Sequence, residues 1–200
     1  MAIVIDEAFL PATLTSAPMT DEQFAEFCSE HPDLFFEMTA EGVIIVMPPT
    51  YSLTSSRNQE IGRQLSNWAR EHRGGTANDA AGGFVLPNGA RRSPDAAWIS
   101  KDRLRKLSPE EREGYWHLCP EFVIELRSKS DRLRMLRAKM EEWVANGAQL
   151  AWLVDPKSRT VEIYRPNREP EIVSGDSVAG EGPVEGFVLR LSDVWDPLGL

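Results

Sequence analysis

The stretch EFVIELRSKSDRLRMLRAKMEEWVANGAQLAWLVD, residues 121–155, constrains the fold of this chain more than any other. It opens on FVIEL and closes on LAWLV, two short runs of aliphatic and aromatic residues bounded by polar ones, as buried strands are. Between them Leu133, Leu136, Met140, Trp143 and Val144 recur at helical spacing. Asp131 stands where an N-cap belongs, and Asn146-Gly147 stops the pattern. Strand, helix and strand make a βαβ unit, whose strands are expected to be parallel and its crossover right-handed. Such strands are covered on both faces, so a charge inside one needs a physical reason.

Glu125 is that charge. Removing an ionised carboxylate from water costs several kcal/mol unless a cation, a metal or hydrogen bonds compensate. Arg127, two residues on, shares a strand face with Glu125 and is one candidate partner. A metal ion is the other. Asp95 opens the strand-like segment DAAWIS directly after Pro94, and if that strand neighbours FVIEL the two carboxylates converge. Paired carboxylates with free coordination positions suit Mg²⁺, which prefers oxygen ligands and keeps several waters for a phosphate substrate. Two cations are on offer beside them. Arg127 stays charged and can act only by electrostatics or by holding phosphate, whereas Lys139, at the border of the helix's apolar stripe, can lose a proton when desolvated. The plainer readings are a turn residue for Asp95, an ion pair with Arg127 for Glu125 and a surface position for Lys139.

The flanking segments complete a mixed α/β pattern. Thr20 or Asp21 caps a helix to about Ser29, and LFFEM, TAEG and VIIVM read as a hairpin turning at Gly42. Ile61, Leu65, Trp68 and Ala69 mark one face of a helix from about Ser56 to His72, ended by Gly74-Gly75. Three short strands are expected around Thr76–Asp79, Gly83–Leu86 and Asp95–Ile99, then a polar helical insertion with Pro109 in a first turn. LAWLVD pairs with VEIYRP through PKSR, and a Gly- and Pro-rich tail ends in the strand-like FVLRL and the turn LSDVW. The core order is helix, three strands, helix, strand. Residues 1–19 read as a loose arm, 20–196 as one domain and 197–200 as a tail; 200 residues with 42% hydrophobic content suffice for one core.

Charge is unevenly spread. The net charge is −9, yet residues 1–50 hold no Lys or Arg, while residues 51–139 carry a basic surplus of six, including Lys129, Arg132, Arg134 and Arg137. Any DNA is therefore expected on segment 51–139, although solvated helix faces explain the surplus equally well. No run is long enough to span a membrane, no basic-then-apolar leader opens the chain, and two cysteines are too few for a secreted scaffold. A reducing cytoplasm is the expected location. Cys28 with His31, and His117 with Cys119, have no usual zinc spacing, and neither a P-loop nor a nucleophilic serine elbow occurs.

The strings GGFVLPNGARRSPDAAWIS, LCPEFVIELRSKSD, KMEEWVANGAQLAWLVDP and VEIYRP, in this order, resemble the PD-(D/E)xK nuclease superfamily. The likeness is to its restriction endonuclease-like branch, abundant in cyanobacteria, and covers roughly residues 20–196. It implies a restriction endonuclease-like αβββαβ core with an added N-terminal hairpin and C-terminal strands. It also implies an Mg²⁺-dependent DNA endonuclease in which Mn²⁺ substitutes. Asp95 and Glu125 would be its motif acids and the Leu126 carbonyl a further metal contact. Arg127 replaces the usual motif lysine, and the resemblance implies that Lys139, from the next helix, takes that role. Glu60 resembles the extra acid that some superfamily members add to the metal. Acidic termini and Arg127 fit a rival reading, a catalytically inactive relative acting as a binding or assembly module. The sequence is compatible with a homodimer and does not specify one.

Overall fold

The computed structural model describes residues 12–47 and 49–200. Ala12–Thr15 forms β1, antiparallel to β3, so this part of the expected arm is a strand; residues 1–11 lie outside the described residues. Helix α1 (Asp21–Ser29) is capped by Thr20 in a capping box with Gln23, which satisfies two otherwise free end groups. The hairpin of β2 (Phe35–Met38) and β3 (Val43–Met47) turns at Gly42 with φ +87°, where a Cβ would lie 2.6 Å from the Ser16 carbonyl oxygen. Only glycine fits that crossing.

Helix α2 spans Ser52–His72, one turn longer at its start than the apolar spacing indicates, because the hydroxyl-rich SLTSS resembles a loop by propensity alone. It is followed by β4 (Gly75–Asp79), β5 (Phe84–Val85), β6 (Arg91–Arg92), β7 (Ala96–Ser100), α3 (Lys101–Leu104), α4 (Pro109–Glu113) and β8 (Phe122–Leu126). Then come α5 (Leu133–Ala145), β9 (Leu150–Asp155), β10 (Thr160–Tyr164), β11 (Glu171–Ser174), β12 (Ser177–Ala179), β13 (Val188–Arg190) and α6 (Leu191–Trp195).

Six strands form the main sheet in the order β11-β10-β9-β8-β7-β4. Only β8 and β9 are parallel, as the crossover through α5 requires. Strand β5 departs from the expected run of three: with β6 it joins β2, β3 and β1 in a second, five-stranded sheet. The αβββαβ core is therefore α2, β4, β7, β8, α5 and β9.

Alternation along β8 sorts its residues between two cores. Phe122, Ile124 and Leu126 join Trp98, Trp152 and the α2 residues Ile61, Leu65 and Ala69, closed over by Phe187 just before β13, Leu189 on β13 and Val194 on α6. Val123 lies on the other face with Ala97, Leu153 and the α5 residues Met140 and Trp143. Burying each large side chain of this kind contributes roughly 1.5–3 kcal/mol. Asp131 does not cap α5: it accepts the Ser128 amide at 2.7 Å, and Arg132 occupies the N-cap position with no side-chain bond.

Candidate active site

Pro94 has no amide hydrogen, and the ladder between β7 and β8 stops at the pair Ala96 and Ile124. Continuing the register by one residue sets Asp95 opposite Glu125. There the Asp95 side chain takes over from the missing backbone partner. Its Oδ2 accepts the Leu126 amide at 2.7 Å and its Oδ1 accepts Asn58 Nδ2, from α2, at 2.6 Å. A residue's N–H and C=O leave an extended strand on the same side, so the Leu126 carbonyl also faces the edge where Asp95 stands. The Arg127 amide turns the other way, to the Val154 carbonyl oxygen at 2.9 Å.

Glu125 is 4% exposed and points to the α5 face. Its Oε1 accepts Trp143 Nε1 at 2.9 Å and lies 2.8 Å from Lys139 Nζ. Lys139 and Trp143 are one helical turn apart, which lets both reach a single carboxylate. The ammonium also donates to Glu37 Oε1 at 2.7 Å and to the Ser93 carbonyl oxygen at 3.4 Å. Glu37, on β2 of the second sheet, further accepts the Ser93 amide at 3.0 Å and Arg92 Nη1 at 3.1 Å, while Arg92 Nε donates to Glu142 at 2.6 Å.

Burial sets the electrostatics. It raises the Glu125 carboxyl to about 7, opposed by Lys139 and reinforced by Asp95 and Glu37. Asp95 is raised by burial too, against the pull of the Leu126 amide, Lys139 and Asn58. Burial works against charge on Glu37 as well, but Lys139 and Arg92 outweigh it and hold that carboxyl low. Burial also opposes the charge on Lys139, and Glu125 with Glu37 more than offset it, so the ammonium stays protonated. This corrects the expectation that desolvation readies Lys139 to lose a proton.

Two further expected positions are engaged elsewhere. Arg127 does not pair with Glu125; its Nη1 lies 2.7 Å from Asp155 Oδ2 at the end of β9. Glu60 binds Arg63 and accepts Gln64 Nε2 at 2.9 Å, on the helix side that meets the Arg190 backbone. Two residues along a helix turn the side chain by about 200°, so it is Asn58 that α2 presents to Asp95. The sequence marks neither Asn58 nor Glu37 as a site residue, and offers Arg92 only as part of the basic surplus of segment 51–139. Glu37 carried the same signal as Glu125, an acid inside an apolar strand; Asn58 carried none.

The donor set is all oxygen, and the carboxylates of Asp95, Glu125, Glu37 and Glu142 outnumber the cations Lys139 and Arg92 by two. A hard divalent cation fits both the donors and the charge. Among the described residues no three His, Cys, Asp or Glu side chains cluster as a metal cage. Mg²⁺ does not need one, since one or two carboxylates and waters commonly hold it.

The family model described as "Uma2: Putative restriction endonuclease" matches residues 21–192. The chain belongs to the Uma2 family. No curated protein matches it. Among solved structures, a "putative nuclease belonging to DUF820 from Anabaena variabilis" superposes with a TM-score of 0.71 at 20% identity, over 90% of this Uma2 chain and 98% of that one. At this identity the likeness is one of fold, and it agrees with the restriction endonuclease-like architecture. A DrdV–DNA complex overlaps 56% of this chain and 9% of its own, at 16% identity and a TM-score of 0.36, which is too low to carry an argument.

The raised Glu125 carboxyl gives a pH signature in the metal-free protein. A carboxyl whose folded value lies above its unfolded one binds more protons when folded, so its stabilisation is present at low pH and lost as pH rises. The melting temperature in EDTA is expected to fall as pH goes from about 4.5, the ordinary value, to about 7. In Glu125→Gln this decline should flatten; an unchanged decline would assign it to another group.

Proposed function

We propose that this Uma2 protein is a divalent-metal-dependent nuclease that hydrolyses phosphodiester bonds of DNA, with Mg²⁺ as the natural ion and Mn²⁺ as a substitute. The observation that carries the reading is the placement of Asp95 opposite Glu125 where the β7 ladder ends, with a buried ammonium on Glu125. Asp95, Glu125 and the Leu126 carbonyl would hold the ion, which would acidify a bound water and neutralise charge on the phosphate. The chain's own residues prepare that site. The Leu126 amide and Asn58 fix both oxygens of Asp95, and Trp143 with Lys139 fixes one oxygen of Glu125. Lys139 contributes positive charge and orientation rather than a base, and Glu37 keeps it there. Arg127 ties the ends of β8 and β9 through Asp155. Metal-dependent nicking of supercoiled plasmid, lost in EDTA, tests the reading. The rival, an inactive binding module, draws support from Arg127 in the motif position; the ammonium held on Glu125 speaks for the nuclease. Both cysteines are free thiols, which suits the reducing cytoplasm where we place the protein.

DNA would be held by the exposed side chains at the start of α5. Lys129, Arg132 and Arg134 lie on the loop and first turn beyond Glu125, whereas Arg137 is committed to Glu162 through Nη2 at 2.6 Å and Nε at 2.9 Å. Replacing Lys129, Arg132 and Arg134 with Glu is expected to weaken DNA binding and flatten its salt dependence, because fewer counterions are released. Arg137→Glu should chiefly lower stability, by exposing Glu162 to a like charge. Fluorescence anisotropy across a salt series checks this, and an unaltered slope in the triple variant would move the DNA surface elsewhere.

A further inference from the structure

We propose that Asn58 is a positioning residue for the divalent cation, fixing Asp95 through its amide nitrogen and holding a water of the cation's hydration shell through its carbonyl oxygen. The inference rests on the reading of Asp95 and Glu125 as the metal carboxylates. Asn58 Nδ2 donates to Asp95 Oδ1 at 2.6 Å, and Asn58 Oδ1 is buried with no hydrogen-bond partner among the described residues. The two ends of the amide are not interchangeable here. Rotating it would set two oxygens 2.6 Å apart, one of them on a carboxylate, so the nitrogen must face Asp95 and the oxygen must face away.

A buried acceptor without a donor lowers stability, and proteins that keep one at an active site usually do so for a ligand. Water polarised by a divalent cation is a strong donor, and Mg²⁺ keeps several such waters when few carboxylates bind it. Asn58 is the α2 side chain in contact with Asp95, so its oxygen lies beside the carboxylate rather than across the site. A neutral amide also suits the charge, since the acids around Lys139 and Arg92 already exceed the cations by two. The plainer alternative is a structural tie between α2 and β7.

Calorimetric titration of Mn²⁺ into the full chain, with the metal-free melting temperature of each variant, separates the two. Asn58→Leu is expected to weaken Mn²⁺ binding about tenfold to a hundredfold, the usual loss for an outer-shell partner, and to lower the metal-free melting temperature only modestly, because Asp95 Oδ1 loses its donor while the unpaired Asn58 Oδ1 is removed. Asn58→Asp should restore Mn²⁺ binding and lower the metal-free melting temperature, because two carboxylates then face each other. A structural tie gives the lower melting temperature alone: Asn58→Leu then binds Mn²⁺ within about twofold of the parent, which overturns the inference. Should Asn58→Leu fail to fold, Asn58→Ala takes its place under the same criteria. If the parent binds no Mn²⁺, or Asp95→Ala leaves binding unchanged, the metal reading itself falls, and the role of Asn58 falls with it.

Discussion

Glu125→Ala is expected to abolish metal-dependent DNA cleavage, lowering the rate by on the order of a thousandfold or more, the scale of deleting a preorganised electrostatic element. The fold should survive. Trp143 Nε1 and Lys139 Nζ lose an acceptor, but Lys139 keeps Glu37 and the Ser93 carbonyl oxygen. Asp95→Ala should be as inactive for a related reason, because it removes the group that receives the Leu126 amide and orders the end of β8. Glu125→Gln is the sharper probe: it retains an acceptor for Trp143 and Lys139 while removing the negative charge. Its metal-free melting temperature is expected to rise at neutral pH as like-charge repulsion with Asp95 and Glu37 is relieved. Plasmid nicking and thermal unfolding of purified variants check both halves. Cleavage at the parental rate in either Ala variant would refute the assignment of these acids.

How far the sequence reached depended on what kind of order each feature needs. The βαβ unit was legible because parallel, doubly buried strands are uniformly apolar and the helix between them repeats its own period. The diversion of β5 into a second sheet was not, since two residues paired with Arg91 and Arg92 leave no periodicity to read. Glu125 stood out as an acid in a buried strand, but that signal is not specific to chemistry. Glu162 has it too, and is satisfied by Arg137 and by Tyr164 Oη at 2.8 Å. What separates the two is the partner each finds in three dimensions. Asn58 and Glu37 reach the site from α2 and from the second sheet, across sequence separations of 37 and 102 residues to Asp95 and Lys139, which no local pattern encodes.

Lys139→Met is expected to be the most damaging single change for stability, and to lower activity as well. It leaves two buried carboxylates, Glu37 and Glu125, facing the space of a lost ammonium. Breaking a buried ion pair from one side costs about 3–5 kcal/mol, far more than the pair's net contribution when intact, because the remaining charge stays desolvated. Glu37 keeps Arg92 and the Ser93 amide, so the greater part of the loss should fall on Glu125, which retains only Trp143. Adding Glu125→Gln to Lys139→Met should therefore recover more stability than adding Glu37→Gln. For activity, Lys139→Met should cost on the order of a hundredfold in a single-turnover assay. Lys139→Arg keeps the charge without a removable proton, and because the ammonium is held protonated between two acids it should recover most of that loss. Arg127→Ala, which breaks only the contact to Asp155, should leave the chemical step within about tenfold of the parent, below the range of an acid-base group. Failure of Lys139→Arg to recover any activity while it folds and binds Mn²⁺ normally would show that a proton on Lys139 does move during the reaction. Full activity in Lys139→Met with none in Arg127→Ala would return the role to the motif position on β8.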